Sequence, residues 1–437
     1  MARKLLGMFA VGVVSLCLTG IYTHAGEQAL QKELLELNQL TGSVSRQGAL
    51  KNLIDNKEHA KKLLQFALPA AKKKEISYTA ALVLGLSAAE MKEMKTAEVY
   101  FRVCMDQATK LQSLEQLSES YVLLIKIYYD YKLYADSARI CKELLELNTD
   151  DGKERLVIAT MTNRFGGVEF REEQDGFNTA ENLRPYVREI YIKATAKQGK
   201  FDQAVKMVDN LLKKNSDWHD QHLKGWVLQE AGKLEDAAGI YEDVIKTVAK
   251  DDRYDQKRRD EFTKQFRYEV TNVYVELKQI DRATGHLEFL LKKYPDDPRY
   301  SNDLGYIWAD NDMKLEEAEK LIRKAIDLDR EIRKKDPDFN PKEDRDSGAY
   351  LDSLGWVLHK QKKNQEAKDW LLKAIEDKSA QHIEIFDHLG DVHMSLGERD
   401  AAIRAWQNGL KAVGANRRDQ ERKVAVEKKL EKVKDSK

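Results

Sequence analysis

Two short clusters of titratable side chains are the places where this sequence could carry out chemistry. His219 and His222 are one helical turn apart, and two Asp and two His fall within residues 387–393. On a helix, either spacing would bring imidazole or carboxylate groups to one face, which is the arrangement of a zinc site. Histidines that pack within a helical core have the same spacing. We expect structural histidines in both clusters, and no metal or cofactor.

Recognisable catalytic patterns are missing from the sequence. It has no His-Glu-x-x-His, no Gly-x-Ser-x-Gly, no glycine-rich phosphate loop followed by Gly-Lys-Ser/Thr, and no paired-cysteine zinc spacing. The isolated Gly166-Gly167 pair is typical of a turn. The sequence therefore predicts a protein that is not an enzyme.

The elements that would position these side chains are helices in an internal repeat. Residues 349–413 contain the same pattern twice, with its markers displaced by 35 positions. Leu354-Gly355 returns as Leu389-Gly390, Ala367 returns as Ala402, and Leu371 returns as Trp406. Apolar residues one turn apart predict two helices in each copy, and the glycine lets the second helix approach the first. One hairpin cannot cover its own apolar faces, so further copies are expected.

Further copies do occur along the chain. Small residues mark the second helix of each: Ala60, Ala97, Ser137, Ala204, Ala237, Ala283, Ala318, Ala367 and Ala402. The regular spacing, with the aromatic-x-x-Leu-Gly opening at Phe386, Leu389 and Gly390, resembles tetratricopeptide repeats. The resemblance implies an all-α fold, an α-α superhelix (solenoid) of stacked helix-turn-helix tetratricopeptide repeats.

The domain organisation follows from where the repeat begins, lapses and ends. Residues 26–75 are expected to form two helices, separated at Thr41-Gly42-Ser43, as a possible degenerate repeat. The repeat array covers 76–412, is irregular at 151–178, and has insertions near 247–263 and 329–348. The first insertion could simply lengthen the next helix, while the second could be a solvated loop or a partner-contacting loop. Residues 413–437 should form a charged capping helix.

The N-terminal residues 1–25 differ from the rest. Arg3-Lys4 precede an apolar run that ends near Tyr22, and a small residue, Ala25, closes the segment. This is typical of a secretory signal peptide, so we expect export to the periplasm or cell envelope of a bacterium. An uncleaved membrane anchor formed by residues 5–22 is the alternative.

Charge and cysteine content limit the classes of partner. The 74 basic residues balance 74 acidic residues, which provides no general reason to expect nucleic acid. The basic C-terminal segment has no aromatic residue for stacking on bases, which favours the capping interpretation. Cys104 and Cys141 are expected on buried helix faces, and one disulfide between them stays possible.

The resemblance implies that the first helix of each hairpin lines a concave groove. By spacing, the partner-binding candidates are His222, Trp226, Tyr268, Asn272, Asn302, Tyr306, Asp352, Trp356, Asp387 and Asp391. Trp226, Tyr306 and Trp356 could instead pack between hairpins. The implied function is a non-enzymatic scaffold that binds a protein or peptide, and the alternatives are an accessory subunit of an envelope enzyme complex or a cell-wall or carbohydrate-binding module.

Overall fold

Helices form all the regular secondary structure that the computed structural model describes, in agreement with the predicted all-α fold. The described residues are 24–146, 184–214, 217–337, 339–376, 378, 381–414 and 417–435. The expected signal segment up to residue 23, the irregular segment 151–178 and its Gly166-Gly167 pair therefore lie outside them. None of the described helices is long and apolar enough to cross a membrane.

The chain divides into two compact units, Met1–Met207 and Val208–Lys437. Helices of the first unit are α1 (His24–Gln39), α2 (Ser43–Asp55), α3 (Lys57–Lys72), α4 (Tyr78–Glu90), α5 (Met94–Lys110), α6 (Leu114–Asp130), α7 (Tyr134–Glu146) and α8 (Arg184–Lys197). The boundary falls within α9 (Phe201–Leu212).

Helices of the second unit are α10 (Trp218–Glu230), α11 (Leu234–Val248), α12 (Gln256–Glu276), α13 (Ile280–Lys293), α14 (Pro298–Asp310), α15 (Leu315–Lys334), α16 (Gly348–Lys360), α17 (Asn364–Ala374), α18 (Ile383–Ser395), α19 (Arg399–Lys411) and α20 (Arg417–Asp435). From α10 to α19 the helices pack in hairpins, each an even-numbered first helix with the odd-numbered second helix that follows it.

The N-terminal region of the first unit departs from the sequence prediction. It contains three helices rather than two, because the chain breaks again at Asn56. The Asn56 side chain accepts a hydrogen bond from the His59 backbone N–H at 3.2 Å, so it caps α3. Asparagine competes for backbone hydrogen bonds in this way, and the apolar periodicity alone does not reveal the break.

Tight turns join the two helices of a hairpin. In the second unit, positive φ angles occur at Gly232, Lys278, Lys362 and Gly397 in equivalent turn positions. At the last of these, φ is 75° and the following backbone N–H donates to the His393 carbonyl at 2.9 Å. The left-handed residue thereby satisfies a carbonyl group at the helix end.

The glycine of the repeat lies where two helices come closest, as the sequence predicts. A β-carbon on Gly355 would lie 2.6 Å from Leu371 Cγ, and one on Gly390 would overlap the Trp406 ring even more closely. The side chain of the second helix therefore occupies the space that a larger residue on the first helix would need.

Both insertions of the second unit lengthen helices. The residues of the 247–263 insertion supply the start of α12, and α15 continues to Lys334 before Pro337 stops it. In the 329–348 insertion, Arg330 Nη2 lies 2.6 Å from Asp346 Oδ2, and Arg333 Nε lies 2.6 Å from Asp344 Oδ1. Two arginines of the helix therefore hold the returning chain.

A continuous hydrophobic core runs from α13 to α19 in the second unit. The last helix packs on the end of this array, where Val426, Leu430 and Val433 join Ile383 and Trp406 in a smaller cluster. Val424 of the same helix is 49% exposed and does not join this cluster.

Candidate functional site

The first helices α12, α14, α16 and α18 present one side to a shared surface, named here the inner face. In α14, Asp297 accepts a hydrogen bond from the Arg299 backbone N–H at 3.1 Å, and Pro298 fits the first turn. This start places Asn302, Tyr306 and Asp310 at successive turns on the inner face. The local sequence thus aims three polar side chains in one direction.

A cavity of about 360 Å³ lies on the inner face, lined by all four of these helices and by α20. It brings together five of the ten residues that the sequence predicts for partner binding, which are Tyr268, Asn272, Asn302, Tyr306 and Asp352. These residues are up to 84 positions apart in sequence, so only the packing of successive hairpins makes them neighbours. This cavity is the candidate binding site.

One wall of the cavity is a hydrogen-bonded group on α12 and α14. The Tyr268 hydroxyl donates to Asp303 Oδ2 at 2.6 Å, and Asn302 Nδ2 donates to Asp303 Oδ1 at 3.0 Å. Burial raises the pKa of the Asp303 carboxyl, because the charged form loses its hydration. The arrangement fixes an acidic group and an amide at the cavity surface.

A second wall joins α14 to α18 across α16. The Tyr306 hydroxyl donates to Glu384 Oε1 at 2.6 Å, and Arg422 Nη2 of α20 lies 2.5 Å from the same oxygen. Burial alone would raise the pKa of Glu384, but the Arg422 charge, His388 and the Tyr306 hydrogen bond lower it to about 2. Glu384 is therefore ionised at neutral pH.

Asp352 is a structural acid, although it lies at the cavity. Its side chain is 7% exposed, and its Oδ1 lies 2.9 Å from Nδ1 of His388, which is itself buried. The Trp356 ring stacks on His388 with centroids 4.0 Å apart. Burial lowers the pKa of His388, but the Asp352 carboxylate and Glu384 together outweigh it, and the net direction is upward. Asp352 and Trp356 thus support the inner face, and their contact with a partner stays a prediction.

The predicted pair Asp387 and Asp391 is occupied by the chain itself. Lys429 of α20 places Nζ 2.6 Å from Asp387 Oδ1 and 2.7 Å from Asp391 Oδ2. Arg422 Nη1 lies 3.2 Å from the other Asp387 oxygen. The C-terminal helix covers both acids, and their contact with a partner stays a prediction.

The remaining candidates, His222 and Trp226, do not line the cavity. His222 Nε2 lies 2.6 Å from Glu269 Oε2, and its ring packs 4.5 Å from that of Phe266. His219 bonds Asp217 through Nδ1 at 2.7 Å. Across the described ranges no group of three or more potential ligands could hold a metal ion.

Four charged residues of the cavity escape the sequence analysis. Asp303, Asp310 and Glu384 lie on the same helices as the predicted residues, and Arg418 reaches the cavity from α20. The three acids lie one residue or one helical turn from predicted inner-face residues, so a wider search around those positions would have found them. No such signal exists for Arg418, because the period of the repeat does not predict where the last helix packs.

The polar groups that line the cavity can form hydrogen bonds and ion pairs with a ligand. Its polar side chains are amides, phenols, hydroxyls and carboxylates together with His382 and Arg418, and no cysteine lines it. Cys104 and Cys141 are buried in the first unit, and within the part of the chain that the structure describes they form no disulfide with each other. Burial raises the pKa of Cys141 to about 12, which makes that thiol a poor nucleophile.

Hairpins with a glycine contact and a left-handed turn define a class of helical-repeat protein. A family model described as tetratricopeptide repeat matches residues 272–332, which run from the end of α12 into α15. A tetratricopeptide-repeat-containing protein of Pseudomonas aeruginosa is 34% identical over 105 residues, which are 24% of this chain and 15% of that protein. This chain therefore aligns with only a small part of that relative.

Solved structures with related folds are more distant in sequence. A tetratricopeptide repeat protein from Parabacteroides merdae is 10% identical with a TM-score of 0.46, covering 71% of this chain and 98% of its own. MamA of Desulfovibrio magneticus is 20% identical with a TM-score of 0.33, covering 45% and 96%. The family-model match and the hairpins above identify tetratricopeptide repeats in the second unit.

Proposed function

We propose that this protein is a non-enzymatic scaffold of the cell envelope that binds a segment of another protein or a peptide on the inner face of its second unit. Tetratricopeptide repeats suggest protein interaction as a class. The observation that carries the proposal is the cavity, where polar groups from four consecutive first helices converge on one binding site. Concave sites with a few convergent polar groups are typical of ligand recognition.

The envelope part of the proposal rests on the apolar N-terminal segment and its small-residue end at Ala25. A membrane-anchored protein, held by residues 5–22, is the other form of the same proposal. Contact with a membrane would then be restricted to that segment.

A carbohydrate-binding module is less well supported by the site. Such a site would use an open aromatic face, but one face of Trp356 is stacked on His388 and the Lys360 ammonium lies 5.2 Å from the centroid of its ring. An accessory subunit of an envelope enzyme complex would also bind its partner on the inner face. That function differs from a scaffold only because its partner would be an enzyme.

Site-specific photocrosslinking in cells tests the proposal. A photoreactive residue replaces Asn272, which is exposed beside the cavity, and a matched control replaces Asp243, whose side chain on α11 is 73% exposed outside it. We expect a discrete protein adduct from position 272 that is absent from position 243.

Two results would overturn the proposal. Identical adducts from both positions, or none from position 272 while the purified chain is retained on cell-wall material, would argue against a protein partner on the inner face. Substrate turnover by the purified chain in a hydrolase screen would contradict its non-enzymatic part.

A further inference from the structure

The inner face already binds cationic side chains in one place. Along α18, Glu384, Asp387 and Asp391 follow one another at about one-turn intervals, and α20 lays Arg422 and Lys429 against them. The chain's own last helix therefore shows that this surface accepts guanidinium and ammonium groups from a helix or peptide.

The cavity continues this acidic surface beyond the region that α20 neutralises. It is lined by Asp303 and Asp310 in addition to Glu384 and Asp352. Within the described part of the chain, neither Asp303 nor Asp310 forms a salt bridge. Arg418 is the cation of α20 at the cavity, and it makes no salt bridge to a described residue. The exposed Asp310 carboxylate, which accepts a hydrogen bond from Trp356 Nε1 at 3.1 Å, is therefore the acid at the cavity that is left for a cationic ligand.

An unsatisfied acceptor provides independent evidence for a ligand. Asn302 lines the cavity and is only 6% exposed, and its Oδ1, which is itself buried, has no hydrogen-bond partner among the described residues. A buried carbonyl oxygen without a donor is unfavourable, so a ligand donor that reaches this oxygen would be favoured there. The other amide group, Nδ2, already donates to Asp303.

The walls of the cavity also carry the two phenol side chains of Tyr268 and Tyr306. A guanidinium group supplies five N–H donors in a plane, pairs with carboxylates and stacks on aromatic rings. An ammonium group supplies three donors and no planar face. We propose that the cavity binds an arginine side chain of the partner segment, beside Asn302, Asp303 and Asp310. This inference rests on the proposed function.

Fluorescence anisotropy with the full chain and short labelled peptides tests it. The probes are acetylated, amidated Gly/Ser/Ala decapeptides that differ only in a central arginine, lysine, glutamate or citrulline, the last being a neutral isostere of arginine. We expect the arginine peptide to bind best, lysine more weakly, and citrulline and glutamate at least tenfold more weakly. Binding should weaken as salt is raised, because the site is partly exposed.

Variants locate the binding to this cavity. Asp310→Asn and Asn302→Leu should each weaken arginine-peptide binding about tenfold, whereas Asp243→Asn, the same charge change on α11, should leave it unchanged. Arg418→Ala should strengthen it, because a like charge at the cavity is removed. Circular dichroism and thermal unfolding check that each variant folds, and Asp310, which is exposed, can be changed without disturbing the core.

The outcomes separate this inference from the proposed function. Equal binding of arginine and citrulline peptides, or arginine binding unaffected by Asp310→Asn and Asn302→Leu, would overturn the arginine site. If position 272 still crosslinks a protein in cells, the scaffold function stands without it. If neither peptides nor proteins engage the inner face, both proposals fail.

Discussion

A single glycine illustrates how closely the two helices of a hairpin approach. Gly390 on α18 faces Trp406 on α19, and a β-carbon at this position would overlap the indole ring. An indole is large and rigid, and its position is held by the cluster that also contains Val426 and Leu430 of α20. The absence of a side chain at Gly390 is therefore a packing requirement as much as a backbone preference.

Gly390→Ala should destabilise the second unit by about 2 kcal/mol, because overpacking outweighs the better helix propensity of alanine. The matched control is Gly285→Ala on α13, where a β-carbon meets no atom within 4 Å. The control should be neutral or more stable by up to about 1 kcal/mol. Urea unfolding of both variants measures the difference, and equal effects would refute the packing argument.

Residue-level reasoning from sequence succeeds where a side chain's role is set by its own hairpin. The contact between Gly355 and Leu371 is an example, because both residues follow from the repeat pattern. It is less successful for Asp352, whose partner His388 lies on the next first helix 36 residues away. Periodicity identifies the face of Asp352 but not the imidazole that neutralises it.

At the scale of elements, α20 is the helix that most changes the interpretation of the site. It covers the end of the core through Val426 and Leu430, and it also lays cations along α18. At its start, an Arg417 nitrogen lies 3.6 Å from the position that a β-carbon on Gly232 would take, at the α10–α11 turn. The last helix therefore extends over the inner face, and a partner in the cavity would touch it.

The contact between α20 and α18 should depend on pH. The folded pKa of Glu384 is about 2, below its unfolded value of about 4.3, so its ionised form stabilises the fold above the unfolded value. This contribution is lost as pH falls toward 2. Hydrogen exchange should therefore show α20 losing protection between about pH 4.5 and 2 before the core of α14 to α17 does.

Substitutions on α20 isolate the ion pairs in this prediction. Arg422→Gln with Lys429→Gln leaves the buried Asp387 without its partners. The double change should lower the free energy of unfolding by about 3 kcal/mol, which is typical of a broken buried ion pair. Arg417→Gln with Lys423→Gln removes the same charge from exposed pairs within α20 and should cost less than about 1 kcal/mol. Equal loss of α20 protection in both double variants would contradict a specific role for the inner pairs.

At the scale of the whole molecule, the array is an uneven run of one motif. Helices α12 and α15 are longer than their counterparts, and the ionic contacts of Arg330 and Arg333 hold the segment that follows α15. In repeat proteins such insertions change the surface while the stacked core continues, because each hairpin contacts chiefly its neighbours.

Processing of the N-terminus is the prediction that belongs to the whole chain. If residues 1–25 are a cleaved signal, the mature protein should begin at Gly26 and be recovered from the periplasmic fraction. N-terminal sequencing and mass measurement of the natively produced protein decide this. A chain that begins at Met1 and sediments with membranes would support the anchor formed by residues 5–22.

The sequence by itself determined the helical hairpins, their contact glycines and the face of each first helix, because these depend on spacing within about 35 residues. It also located five cavity residues, because equivalent positions on successive first helices lie on the same face. Only the tertiary structure decided which of these side chains are available. Asp387 and Asp391 are neutralised by Lys429, Asp352 is paired with His388, and Asn302 keeps an unpaired oxygen. Such pairings depend on how successive hairpins stack and where α20 returns, and neither leaves a periodic signal in the chain.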